Sequence, residues 1–259
     1  MDRLGLDELK SKIRYADGEP LIKAVGNVTV VGERHIYPHV DITETRFWGE
    51  VGRSAEEADR VFLEHPTDPS VNGWSQVAAM ATYMRQAENY AGQEKVGYLD
   101  KTVGDMARLE GGYAEAGLNE AGNMTVVASL FKSDLLAYSG SELLEKIEER
   151  LKAVAPDMED NEFRLARGRL LILANTEIGK IFIRFDAEVR ERIMQEELAK
   201  GLAKSGPETK TMVVVGESHV KGIERTLSDP SYRTSINPEQ LQTINDFLVK
   251  TRNMLEVGS

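Results

Sequence analysis

Apolar and polar positions along the chain follow two periods. Short, mostly apolar runs read as buried strands: Asn27 to Val31, Val61 to Leu63, Lys95 to Leu99 and Met212 to Val215. Most of these runs stop abruptly at charged or polar residues, as expected of a buried strand that delivers side chains at its carboxyl edge. Elsewhere the period is helical. Leu4, Leu6, Leu9 and Ile13 predict a short amphipathic helix ahead of a turn at Asp17-Gly18-Glu19-Pro20. Ser54 with Glu57 reads as a capping box for a short helix through Arg60, and Trp74, Val77, Ala78, Ala81 and Met84 mark a helix over 74–90.

The middle of the chain is mostly helical. Ser139 and Glu142 open a helix whose Leu143, Leu144, Ile147 and Leu151 share one face until Pro156 stops it. Further helices are predicted over 161–175 and 186–204, and a last one from Asn237 as N-cap, with Pro238 in its first turn and Leu241, Ile244 and Leu248 turned inward. Residues 181–185 fit a strand or a buried helix equally, and Gly111, Gly112, Gly117 and Gly122 predict broken helix across 104–124. Strands separated by helices predict an α/β fold with a mostly parallel central sheet flanked by helices, and in such sheets ligands bind off the carboxyl ends of the strands.

Composition narrows the classes of function. The 259 residues suffice for one large domain, 41% are hydrophobic and 29% charged, and there is no apolar run long enough to cross a bilayer. The first residues lack the apolar core of a signal peptide, so an intracellular, cytoplasmic protein without a membrane partner is expected. With no cysteine, thiolate chemistry is excluded and any metal would rest on His, Asp and Glu. A net charge of −11 is the wrong sign for neutralising phosphates, so nucleic acid is not an expected partner. No GxGxxG or Walker A phosphate loop occurs.

One phrase occurs twice: Val30-Val31-Gly32-Glu33-Arg34-His35 and Val214-Val215-Gly216-Glu217-Ser218-His219. In extended backbone, residues two apart project to the same side, which predicts that Glu33 faces one space with His35, and Glu217 with His219. If the two strands are neighbours, two carboxylates and two imidazoles converge, able either to bind a divalent cation or to hold and deprotonate a water. Glu64, at the end of Val61-Phe62-Leu63, would add a third carboxylate. His39, His65 and Asp100 are read as supporting or structural, and acids such as Glu145, Glu148 and Glu149 as a solvated helix face.

These residues resemble the TraB/Tiki superfamily, which includes the erythromycin esterases and the ChaN-like haem-uptake proteins. The likeness rests on the twin Gly-x-x-His phrases, on strand-end Glu64, and on Val215-Gly216-Glu217-Ser218-His219-Val220-Lys221-Gly222-Ile223, which is closest to the TraB branch. Asp100 is similar to an Asp of TraB-like proteins, and Arg190-Glu191 ahead of Met194 is similar to their Glu-Arg-Asp-x-x-Met stretch, from which Val189 and Glu191 depart. The resemblance implies a single α/β domain over 1–259, with two related halves and a helical insertion at about 104–205. It implies a hydrolase of peptide, ester or lactone bonds acting on a small-molecule or peptide substrate, with Glu33, His35, Glu64, Glu217, His219 and Arg190 at the site. Arg190 would be the anion or oxyanion partner. A metal-dependent version would use Mn, Zn, Co or Fe on His35, His219, Glu33 and Glu64; the alternatives are a haem or metal binder without turnover and a regulatory module with a degenerate site. The apolar faces of the middle helices suggest a homodimer.

Overall fold

The computed structural model describes residues 19–33, 41–67, 82–102, 136–154, 156, 158–206 and 208–257. The chain divides into two compact units, one of Asp17–Ala107 with Val189–Ser235, the other of Met1–Ala16, Arg108–Glu188 and Ile236–Ser259. The fold is α/β, with a five-stranded, mostly parallel sheet.

The sheet belongs to the first unit. Its strands are β1 (Leu21–Val25), β2 (Val28–Glu33), β3 (Arg60–Leu63), β4 (Val96–Tyr98) and β5 (Thr211–Gly216), in the order β1-β2-β5-β3-β4. The apolar run Met212-Val213-Val214-Val215 is buried on both faces and occupies the centre, as a parallel strand covered on two sides should. Full burial of one such valine contributes about 1.5–2 kcal/mol. Only β1 runs antiparallel. It joins β2 through a two-residue turn at Gly26-Asn27, where Gly26 has φ 60°, the left-handed value that such hairpins require.

Two helical layers cover the sheet. Helices α1 (Arg46–Glu57) and α2 (Tyr83–Ala91) bury Val51, Ala55, Tyr83, Met84 and Ala87 against Val31, Val61, Leu63, Met212 and Val214. On the other face, α6 (Glu191–Leu202) and α7 (Val220–Ser228) bring Met194, Leu198, Val220 and Ile223 onto Val28, Val30, Phe62, Val213 and Val215. Helix α1 corrects the sequence expectation. It begins after Thr45, so Ser54 is no N-cap but sits in the last turn, where its carbonyl accepts from Ala58 N–H. The apolar stripe of Phe47, Trp48, Val51 and Ala55 extends the helix N-terminally and outweighs the local Ser54-Glu57 signal.

The second unit contains α3 (Gly140–Val154), α4 (Asp160–Asn175), α5 (Glu177–Arg184) and α8 (Pro238–Val257). Leu143, Ile147 and Leu151 are buried along α3 as their spacing predicts, and Arg167 of α4 pairs with Glu148 at 2.5 Å. Asn237 caps α8 by accepting from Glu239 N–H. The ambiguous 181–185 stretch is helical, and between α5 and α6 the chain forms a π-helix over Phe185–Arg190. The predicted helix over 4–13 and the glycine-broken region 104–124 lie outside the described residues, as does the first part of the helix expected over 74–90. Among the described residues, no helix is long and apolar enough to cross a membrane.

Candidate functional site

The strands that carry the two repeated phrases lie side by side as far as Glu33 and Gly216. Strands β2 and β5 pair in parallel, with Val31 opposite Val214, Gly32 opposite Val215 and Glu33 opposite Gly216. The ladder continues past β3, as Glu64 N–H donates to Val214 O and Asp100 N–H to Glu64 O. Glu33, Glu64, Asp100 and Gly216 therefore line one carboxyl edge. Gly32 is required there: a Cβ on it would lie 2.5 Å from Val220 Cγ2, so its missing side chain lets α7 approach the sheet.

Each acid at this edge is buried, and each has donors. The Glu33 carboxylate accepts from the backbone N–H groups of Tyr83 at 2.9 Å and Met84 at 3.0 Å, the first turn of α2. It thus satisfies amides that the helix cannot bond internally and sits at the positive end of the helix dipole. Burial pushes the Tyr83 phenol above its ordinary pKa, its hydrogen bond to Thr45 pulls it down, and the charge on Glu33 adds to the rise.

Glu64 and Asp100 share Arg190. Arg190 Nη2 donates to Glu64 Oε1 at 2.6 Å and Nε to Asp100 Oδ2 at 2.9 Å. The second Glu64 oxygen accepts from Gly216 N–H at 2.5 Å, and Asp100 Oδ1 accepts from the N–H and hydroxyl of Thr102. Two carboxylates and one guanidinium are thereby taken out of water together, at a cost of several kcal/mol per ion that the pairing must offset. The guanidinium expected to receive a substrate anion is thus engaged through Nε and Nη2 by the protein's own acids.

The second phrase does not continue as strand. Gly216 ends β5, and Glu217–His219 form a single 3-10 turn leading into α7. The alternation that would have put Glu217 and His219 on the same side is lost. His219 is buried, Glu217 half-buried and Ser218 exposed. His219 Nδ1 lies 3.7 Å from Glu191 Oε2, an ion-pair separation. His65 is buried too, and its Nδ1–H donates to Pro66 O at 3.0 Å. His35 and His39 lie outside the described residues. Among the described residues, no group of three or more His, Asp or Glu side chains is arranged to hold a metal ion.

Glu191, Gln195 and Thr234 were not among the residues singled out for chemistry from the sequence, yet Glu191 faces His219 and the other two hold Glu191. Glu191 Oε1 accepts from Thr234 Oγ1 at 2.9 Å and Gln195 Nε2 at 3.3 Å, while Gln195 Oε1 accepts from Thr234 N–H. A sequence signal for this cluster was Gly222: a Cβ there would come within 2.1 Å of Glu191 Oε1, so the glycine makes room for a carboxylate.

Comparison with family models, with curated proteins and with solved structures finds no match for this chain.

Proposed function

We propose that the chain is a hydrolase of ester, lactone or peptide bonds, with its site at the carboxyl edge of β2, β5 and β3. The observation carrying this reading is the direct pairing of β2 with β5, which sets Glu33 of one phrase opposite Gly216 of the other, on a sheet edge with buried Glu64. A purely structural edge gains little from so many desolvated charges, because apolar residues of similar volume would stabilise the fold as well or better. Buried ionisable groups at a strand edge are characteristic of sites where protons move.

His219 is the described group best suited to take a proton. It receives one from water while the water oxygen bonds to the acyl carbon, and it returns the proton to the departing alcohol or amine as that bond breaks. His35, two residues beyond Glu33 in the other phrase, is the second imidazole that the sequence offers. Glu33 and Glu64 serve it differently. Both oxygens of each already accept hydrogen bonds from the protein, which suits them to holding the edge rigid and oriented. That donor set fits water activation by imidazole better than ligation of a cation, which would have to displace those donors.

The test is a panel of aryl esters, lactones and peptides with wild-type protein, His219→Ala and His35→Ala, with and without added Mn, Zn, Co or Fe. Turnover by the wild type that falls at least about 100-fold in each variant supports the reading, in line with the usual contribution of a general base. Full activity in the double variant would sink it. Activity that appears only with one of the metals would replace imidazole-activated water by metal-bound water.

A further inference from the structure

The geometry points to Glu191 as a positioning residue for His219. It holds the imidazole with its proton on Nδ1, so that the neutral ring carries its lone pair on Nε2. This inference rests on the reading of His219 as the base of the proposed hydrolase.

Glu191 opens α6 immediately after Arg190, and its side chain is 16% exposed. Its two oxygens have separate partners. Oε1 is held by the Thr234 hydroxyl and the Gln195 amide, both neutral, while Oε2 stands 3.7 Å from His219 Nδ1. Gln195 is itself fully buried and clamped to Thr234 through both ends of its amide, Oε1 accepting from the Thr234 N–H and Nε2 donating to its hydroxyl. The carboxylate is therefore fixed by a rigid neutral clamp. Gly222, in the first turn of α7, leaves the space it occupies.

The chemistry of an imidazole base needs such a partner. Neutral histidine carries one ring proton, and which nitrogen bears it is set by the group facing the other one. A carboxylate accepts only, so it selects Nδ1–H; when Nε2 then takes a proton from water, the same carboxylate faces the imidazolium charge. The 3.7 Å separation is longer than a hydrogen bond. Such contacts are often long before substrate arrives and shorten when the ring becomes charged.

The test labels the histidines of the whole protein with 15N and reads the tautomer of His219 from ring nitrogen shifts, with His219→Asn to assign the signal. The expected result is Nδ1–H in the wild type and a loss of that preference in Glu191→Gln, which retains the Thr234 contact but removes the charge. In the hydrolysis assay Glu191→Gln should lower kcat about 10-fold or more with KM unchanged. Gly222→Ala pushes the carboxylate away while keeping its charge, and should repeat the tautomer change if Glu191→Gln fails to fold. An Nε2–H tautomer in the wild type, or the same tautomer in every variant, overturns the inference. The spectrum needs no turnover: a tautomer that responds in a protein inactive on every substrate would overturn the hydrolase reading and uphold the pairing. An unresponsive tautomer in an active enzyme would do the reverse.

Discussion

Arg190 and Glu64 are 126 positions apart in sequence and 2.6 Å apart in space, and each side chain is 5% exposed or less. Removing the guanidinium leaves Glu64 and Asp100 buried and uncompensated. Arg190→Met should cost about 3–5 kcal/mol, the range for breaking a buried pair by deleting one partner. Arg190→Lys keeps the charge but cannot present Nε and Nη2 in two directions, so it should fall between the two. Urea unfolding of the three proteins measures this; a loss under about 1 kcal/mol in Arg190→Met would show that the pair is not desolvated in solution.

Glu33 should behave as a helix anchor. Glu33→Ala strips two acceptors from the Tyr83 and Met84 amides and should cost about 1–3 kcal/mol, with Glu33→Gln losing less. Hydrogen exchange at those two amides should speed up in the alanine variant. Unchanged protection there would contradict the anchoring role.

Phe62 lies between two glycines. A Cβ on Gly201 would fall 2.4 Å from Phe62 Cζ, and one on Gly97 3.0 Å from Phe62 Cδ1. Gly201→Ala should destabilise by about 1–3 kcal/mol through overpacking. Phe62→Leu should recover part of that loss in the double variant, so that the two costs are not additive in a double-mutant cycle.

In the helical unit, burial raises the Glu188 pKa above its ordinary 4.5, opposed in part by Arg184. A carboxyl with a raised folded pKa favours folding at low pH, and that contribution is lost as pH rises through the folded value. Glu188→Gln should therefore be more stable than wild type at neutral pH, with the gap closing below about pH 4. Thermal melts across pH decide it; a gap that does not depend on pH would exclude this cause.

The central strands were legible because burial on both faces demands continuous apolar runs, and 61–63 and 212–215 have them. Strand β1 was not. It is an edge strand with Leu21, Ile22, Lys23 and Ala24 all exposed, so no face imposes a pattern. At the site, Glu64 and Asp100 could be placed at strand ends, since that follows from local pattern. Their pairings could not: Arg190 reaches them from the residue before α6 and the amides of α2 reach Glu33 across 50 residues, and such distances leave no trace in spacing. Glu191 looked like a departure from the Glu-Arg-Asp-x-x-Met stretch of TraB-like proteins, whereas in the fold its Oε2 lies 3.7 Å from the Nδ1 of His219.

The pairing of β2 with β5 is staggered by one position against the lettering of the repeat. Val31 stands opposite Val214, although its textual counterpart is Val215. In a pleated strand a slide of one residue turns every side chain over. Val30 accordingly packs under α6 and α7, while its counterpart Val214 packs under α1 and α2. Counterpart letters are not counterpart positions: truncating Val30 hollows one layer of the protein, and truncating Val214 hollows the other.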